Sequence, residues 1–262
     1  MTPTEQYLAK SQRLIDVVAE QSDVIADAAN LFAATILAGR MVHVFGSGHS
    51  RMMVEEMWPR YGSFPGFNPM VELSLSFHHP VVGSNGQRQA MFLENVSGFA
   101  ERILRNYDLR HVDSAFVISS SGCNIVPIEI AEGFQKRRVK VVAMISRAHS
   151  EVSQSKRVDG RKLQDFADVV LDTGAPVGDA MVQLAGLDQP VAPGSTIGGC
   201  LIVNSIKAEV AQRLIAAGQP PKALAAGAVV GADRAADIFE AAYDEHAHRL
   251  ARLFENVGKE TT

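Results

Sequence analysis

SAFVISSSGCNIVPIEIAEGFQKRRVKVVAMIS, running from Ser114 to Ser146, reads as a strand, a helix and a second strand. Its two ends, SAFVISS (Ser114 to Ser120) and VKVVAMIS (Val139 to Ser146), are short, β-rich and mostly apolar, the pattern of strands covered on both faces. Between them Ile125 to Arg137 has helical composition. The same alternation recurs outward. MVHVFG (Met41 to Gly46) precedes a helical Arg51 to Trp58, and DVVLD (Asp168 to Asp172) precedes a helical Thr196 to Ala216. Strand alternating with helix implies βαβ units and a parallel sheet, so the expected fold is α/β, a three-layer αβα sandwich with a doubly wound parallel sheet.

The flanks add helices. Thr4 with Glu5 is read as opening a first amphipathic helix; Val24, Ala28, Leu31, Thr35 and Ile36 line the inward face of a second, which Gly39 stops. Pro59 to Pro80, rich in Pro, Gly, Phe and Met and holding His78 and His79, reads as a long excursion over the surface. Arg234 to Val257 repeats Phe239, Ala242, Tyr243, His246, Leu250, Leu253 and Phe254 at helical spacing, an apolar stripe seeking a partner. With no internal repeat and no clear boundary, the chain reads as a single domain over residues 1–262: a helical extension over 1–39, an αβα core over 40–217 and a C-terminal helix over 233–258.

Composition narrows the function. The 262 residues carry a net charge of −4 with acidic and basic residues interspersed, which excludes the basic stripe that tracks nucleic acid. Two cysteines far apart, Cys123 and Cys200, form no CxxC pair and point to a reduced, cytoplasmic setting. No basic-then-apolar leader opens the chain and no run reaches the roughly 18 apolar residues that cross a bilayer, so no membrane partner is expected.

Two strand-to-helix loops carry the chemistry. The first strand ends in Gly46-Ser47-Gly48-His49-Ser50, the second in Ser119-Ser120-Ser121-Gly122-Cys123-Asn124, and each passes directly into a helix. Glycine lets the backbone turn sharply and bare its N–H groups toward an anion at a helix N-terminus, and open α/β sheets place ligands at these strand ends. The two loops are expected to converge on one anion. Other readings fail on spacing. A dinucleotide fingerprint needs glycine where Arg51 stands, a P-loop needs Gly-Lys-Ser/Thr, and a nucleophile elbow needs glycine where Ser119 and Cys123 flank Ser121.

These loops resemble the sugar isomerase (SIS) domain family, whose members carry Gly-x-Gly-x-Ser after the first strand and Ser-x-Ser-Gly-x-Ser/Thr/Asn after the next. SRMMVEEMWPRYG (Ser50 to Gly62), APVGDAMVQLAG (Ala175 to Gly186) and PGSTIGGCLIVNSIKAE (Pro193 to Glu209) extend the likeness to an uncharacterised bacterial branch of phosphosugar-binding proteins. The resemblance implies phosphate ligands at Ser119, Ser120, Ser121 and Asn124, with Gly122 as the turn, and sugar contacts at Gly48, His49 and Ser50 beside Ser47. It also implies a homodimer or a dimer of dimers. The histidine that isomerases of this fold carry on the late helix has no counterpart in Thr196 to Ala216, where Cys200, Asn204 and Glu209 are the polar members.

Aldose–ketose isomerisation through an enediol needs a base beside the carbonyl and an acid for its oxygens. Glu55 and Glu56, five and six residues beyond Ser50, are the base candidates, their other reading being solvated helix charges; His79 is the histidine candidate, with a turn-forming role as its alternative. Ser195 and Thr196 are read as capping the late helix, with a sugar contact also open to them. Glu209 is open to a base role on the late helix, but beside Lys207 and Arg213 it reads rather as ion-paired surface. His246 and His248, two apart on a helix, face opposite ways and form no metal site, and no metal or cofactor is expected. The expected function is a phosphosugar isomerase; the alternatives are a non-catalytic phosphosugar sensor and a sugar-phosphate lyase or etherase.

Overall fold

The computed structural model describes residues 1–77 and 86–257. His78 and His79 therefore lie outside the described residues. In chain order come α1 (Pro3–Ala19), α2 (Ser22–Leu37), β1 (Val42–Gly46), α3 (Arg51–Glu56), β2 (Phe67–Pro69), α4 (Leu73–Ser76), α5 (Gly86–Leu93) and α6 (Phe99–Leu104). Then follow β3 (Ser114–Ile118), α7 (Ile125–Lys136), β4 (Lys140–Ile145), α8 (Arg147–Val152), β5 (Val169–Asp172), β6 (Ala180–Val182), β7 (Val191–Pro193), α9 (Ser195–Ala216), α10 (Gly227–Val230) and α11 (Ala232–Ala251). The first helix opens two residues earlier than expected. Thr2, not Thr4, is its N-cap: Thr2 Oγ1 accepts the Glu5 N–H at 3.2 Å and Glu5 Oε2 accepts the Thr2 N–H at 2.7 Å, with Pro3 at the first helical position.

Five strands form one parallel sheet in the order β2-β1-β3-β4-β5, and β6 and β7 form a separate antiparallel pair. The αβα sandwich expected from the alternation is present. Alternate residues of each strand feed opposite cores. Val42, Val44, Phe116, Ile118, Val142 and Met144 pack beneath α2, α3 and α9, against Phe32, Ile36, Val54, Ile202 and Ile206. Phe45, Val117, Val141, Ala143 and Ile145 pack beneath α6 and α7, against Leu104, Ile128 and Phe134. Burial on both faces explains why these strands read as continuous apolar runs. Within the excursion, residues 67–69 form β2 and add it to the sheet edge beyond β1, which its composition does not suggest. The antiparallel β6–β7 pair has no signal at sequence level because each strand is only three residues long.

Two close contacts fix this arrangement. Arg40, just before β1, donates from Nε to Asp113 Oδ1 at 2.7 Å and from Nη2 to Asp113 Oδ2 at 2.9 Å, while the buried His43 ring lies between Asp113 (3.4 Å) and Asn68 (3.1 Å). The pair therefore clamps the entries of β1 and β3 side by side. Burial would raise the Asp113 carboxyl, but the hydrogen bonds from Arg40 and His43 outweigh it and hold the group below the usual carboxylate range. The second contact is α9 against the end of β5: a Cβ on Gly198 would stand 2.0 Å from the Thr173 carbonyl oxygen, so only glycine lets the two backbones meet.

Asp113→Ala should lower the unfolding free energy by about 3–5 kcal/mol, because it strands a buried guanidinium; urea denaturation measures this, and a loss below about 1 kcal/mol would contradict the clamp. Since the folded pKa of Asp113 is depressed, its contribution is present above the unfolded carboxylate value of about 3.9 and is lost as pH falls through the folded one. Gly198→Ala should cost at least the roughly 1–3 kcal/mol of an overpacked core position, read in the same assay.

Candidate functional site

β1 and β3 are hydrogen-bonded neighbours, in a register that pairs their last residues, Gly46 with Ile118. The strand order reverses between them, since β2 lies beyond β1 on one side and β4 beyond β3 on the other. The two serine loops thus leave the sheet side by side at its topological switch point, the place where open α/β sheets bind ligands.

The first loop runs from Gly46 through Ser47 into a 3₁₀ turn, Gly48–Ser50, closed by the Ser50 N–H on the Ser47 carbonyl at 3.1 Å. In the second loop Gly122, at φ +64°, turns the chain so that its N–H reaches Ser119, at 3.2 Å from the carbonyl oxygen and 3.3 Å from Oγ. The Cys123 N–H donates to Ser121 Oγ at 3.2 Å. Both hydroxyls are anchored as acceptors, which leaves the protons of Ser119 and Ser121 to donate elsewhere. Among the described residues the N–H groups of Ser120, Ser121 and Asn124 have no acceptor, and the Ser50 and Ser120 hydroxyls have no partner.

Glu94, directly after α5, ties the loops together. Its Oε2 accepts the Ser47 hydroxyl at 3.0 Å and its Oε1 accepts the Asn124 side-chain amide at 2.7 Å. The Glu94 carbonyl accepts the Val126 N–H at 2.9 Å, which fixes the backbone against the first turn of α7. Burial pushes the Glu94 carboxyl above its ordinary value, against the opposing pull of the Ser47 hydrogen bond and the Lys156 charge.

A cavity of about 260 Å³ opens between the loops. Ser47, Gly48, His49 and Ser50 line one side, and Ser119, Ser120, Ser121 and Asn124 line the other. Gly122 stands behind this wall, shaping the turn. Glu94, His149, Thr173, Asp179 and Ser195 add further polar groups to the lining. Ser195 is in the cavity but does not cap α9 from the N-cap position, which Gly194 occupies. The cap is Asp179, whose Oδ1 accepts the N–H groups of Gly194 (3.0 Å) and Ser195 (2.7 Å) and whose Oδ2 accepts the Ser195 hydroxyl at 2.7 Å. A carboxylate satisfies a helix N-terminus better than a hydroxyl can, so the more distant residue takes the position.

The remaining candidates among the described residues lie apart from the cavity. At about 100° per residue, Met53 stands close above Ser50 and lines the site, whereas Glu55 and Glu56 are rotated about 140° and 120° to either side. Glu55 pairs with Arg51 at 3.3 Å and lines a neighbouring, mainly apolar cavity of about 340 Å³ with Trp58 and Phe77. Glu56 is held by Arg60 at 2.9 Å and by the buried Lys207 at 3.3 Å. Lys207 therefore points inward rather than flanking Glu209, which pairs with Arg213. Thr196 faces a groove on the other side of α9 with Cys200 and Asn204. His246 is buried against Trp58, with ring centroids 4.6 Å apart.

The three functional candidates that the sequence reading did not single out are Glu94, His149 and Asp179. Gly178-Asp179, a turn dipeptide within Ala175 to Gly186, is the one visible hint of the last. Among the described residues no group of three or more His, Cys, Asp or Glu side chains could hold a metal ion, and no helix is long and apolar enough to cross a membrane.

The SIS domain model matches residues 6–146, which include β1, β3 and both serine loops. A UPF0309 protein of Listeria innocua is 30% identical over 252 residues, covering 96% of this chain and 98% of the relative. A UPF0309 protein of Brucella canis is 35% identical over 249 residues, covering 94% and 98%. Among solved structures, a phosphoheptose isomerase from Francisella tularensis superposes with a TM-score of 0.51 at 16% identity, over 81% of this chain and 100% of that one, a likeness of fold. Both loop motifs fall inside the matched region and the relatives align nearly end to end, so the chain belongs to the SIS domain family, together with the UPF0309 proteins.

Proposed function

We propose that the chain binds a phosphorylated sugar between its two serine loops and interconverts its aldose and ketose forms. The observation that carries this reading is the single cavity lined by both loops and bridged by Glu94. The donors without acceptors, the N–H groups of Ser120, Ser121 and Asn124 with the hydroxyls of Ser50, Ser119, Ser120 and Ser121, suit a phosphate dianion; each charge-assisted hydrogen bond is worth about 1.5–3 kcal/mol, so three at the upper end of that range reach micromolar affinity. Membership of the SIS domain family supports the same ligand class.

Glu94 replaces Glu55 and Glu56 as the base. It is the carboxylate between the loops, and its raised pKa brings it nearer the working range of a general base. A second reading, a non-catalytic sensor, is favoured by the absence of any histidine from α9. The reading includes a homodimer or homotetramer, which sedimentation would measure.

A thermal-shift panel of hexose, heptose and amino-sugar phosphates, followed by product analysis, separates the two readings: turnover supports isomerisation, binding without product supports the sensor, and a product of altered mass would point instead to elimination. Ser120→Ala should weaken a phosphorylated sugar by about 1.5–3 kcal/mol and leave its unphosphorylated counterpart unchanged; equal losses for both would contradict the phosphate assignment. Glu94→Gln should abolish turnover while inorganic phosphate binds as well or better, because a like charge has been removed. In the wild type kcat/KM should fall as pH drops through a value above the ordinary Glu pKa of about 4.3, since the unprotonated carboxylate is the active form.

A further inference from the structure

His149 sits in the first turn of α8 and is held from two directions. Its backbone N–H donates to Ser146 Oγ at 3.2 Å, and that hydroxyl donates to the Ala175 carbonyl at 2.7 Å. Its ring Nδ1 accepts the Gly178 N–H at 3.2 Å. A neutral imidazole that accepts at Nδ1 carries its proton on Nε2. His149 lines the serine-loop cavity with Glu94, Ser121 and Asp179, and with Nδ1 taken by Gly178 the ring nitrogen left to act there is Nε2. The turn that sets this tautomer is unusual, because Gly178 and Asp179 are both left-handed, at φ 74° and 68°. Asp tolerates that conformation better than most side chains, and here the same turn sends its carboxylate to the N-terminus of α9 while presenting the Gly178 N–H to His149. One two-residue device therefore orients a helix end and an imidazole at the same cavity.

We propose that His149 is the catalytic partner of Glu94, its Nε2–H serving as donor and proton relay for the sugar oxygens; the role rests on the isomerase reading above. Starting from the aldose, Glu94 removes the proton from C2, the C1–C2 double bond forms and the carbonyl electrons pass to O1. Nε2 gives its proton to O1 and takes the hydroxyl proton of O2, so the ring begins and ends neutral. The C2 carbonyl then forms and Glu94 returns its proton to C1. No oxidant, metal or further reactant enters the balance. The tautomer held by Gly178 suits this exchange, because the ring meets both oxygens through one nitrogen whose proton is already in place.

The test uses the full chain and whichever sugar phosphate of the panel it turns over. His149→Ala should lower kcat by about 10²–10⁴-fold with KM little changed. Free imidazole should restore part of the loss. His149→Gln serves the same comparison if the alanine variant melts lower. Two-bond proton–nitrogen spectra of the ¹⁵N-histidine protein should show the Nε2–H form at the signal that His149→Gln removes. Turnover unchanged in a folded variant, or an Nδ1–H signature, would overturn the role while leaving isomerisation standing. Failure of the wild type to turn over any sugar phosphate would instead remove the isomerase reading, and this role with it.

Discussion

The meeting of the two serine loops depends on the parallel pairing of β1 with β3. Because Gly46 faces Ile118 across that pair, the chain leaves the sheet twice at adjacent points, and in both places it turns at once into a helix. Residues about seventy positions apart thereby line one cavity from its two sides. The pairing is enforced from below by Arg40 and Asp113, at the entries of the same two strands, where the Coulomb attraction is least screened because Asp113 is fully buried. Above, Glu94 repeats the arrangement, joining Ser47 to Asn124 with two hydrogen bonds.

A carboxylate inside an anion site is a contradiction unless the ligand has two ends. Like unit charges 4 Å apart at an effective dielectric of 20 repel by about 4 kcal/mol, more than any one charge-assisted hydrogen bond returns. A phosphate is therefore driven toward Ser120 and Ser121, away from Glu94, and the uncharged sugar toward the carboxylate. Asp179 sharpens the same asymmetry. It occupies the N-terminus of α9, which would otherwise attract an anion to the far side of the cavity. On the proposed reading the phosphate sits at the second serine loop, and proton-handling groups face the sugar attached to it.

Much of this was legible in the residues. The apolar runs revealed the strands because both of their faces are buried, and the serine and glycine spacing revealed the loops because turn chemistry is local. What escaped the reading depends on geometry that is not local. Glu55 and Glu56 are near the first loop in sequence, but α3 turns both away from the cavity and supplies Met53 to it instead. Glu94 reaches the cavity from the end of α5, in a stretch with no strand pattern, and only the completed fold sets it between the loops. Ser195 looked like a helix cap by residue type, yet a carboxylate sixteen residues earlier takes that position and holds the serine hydroxyl as well.

The most direct test of one shared anion site is a titration with inorganic phosphate followed by backbone amide resonances. The amides of Gly48, Ser120, Ser121 and Asn124 should shift along one binding curve with a common midpoint, while Ser195, already bonded to Asp179, shifts little. Movement confined to one loop, or two curves with separate midpoints, would contradict the account.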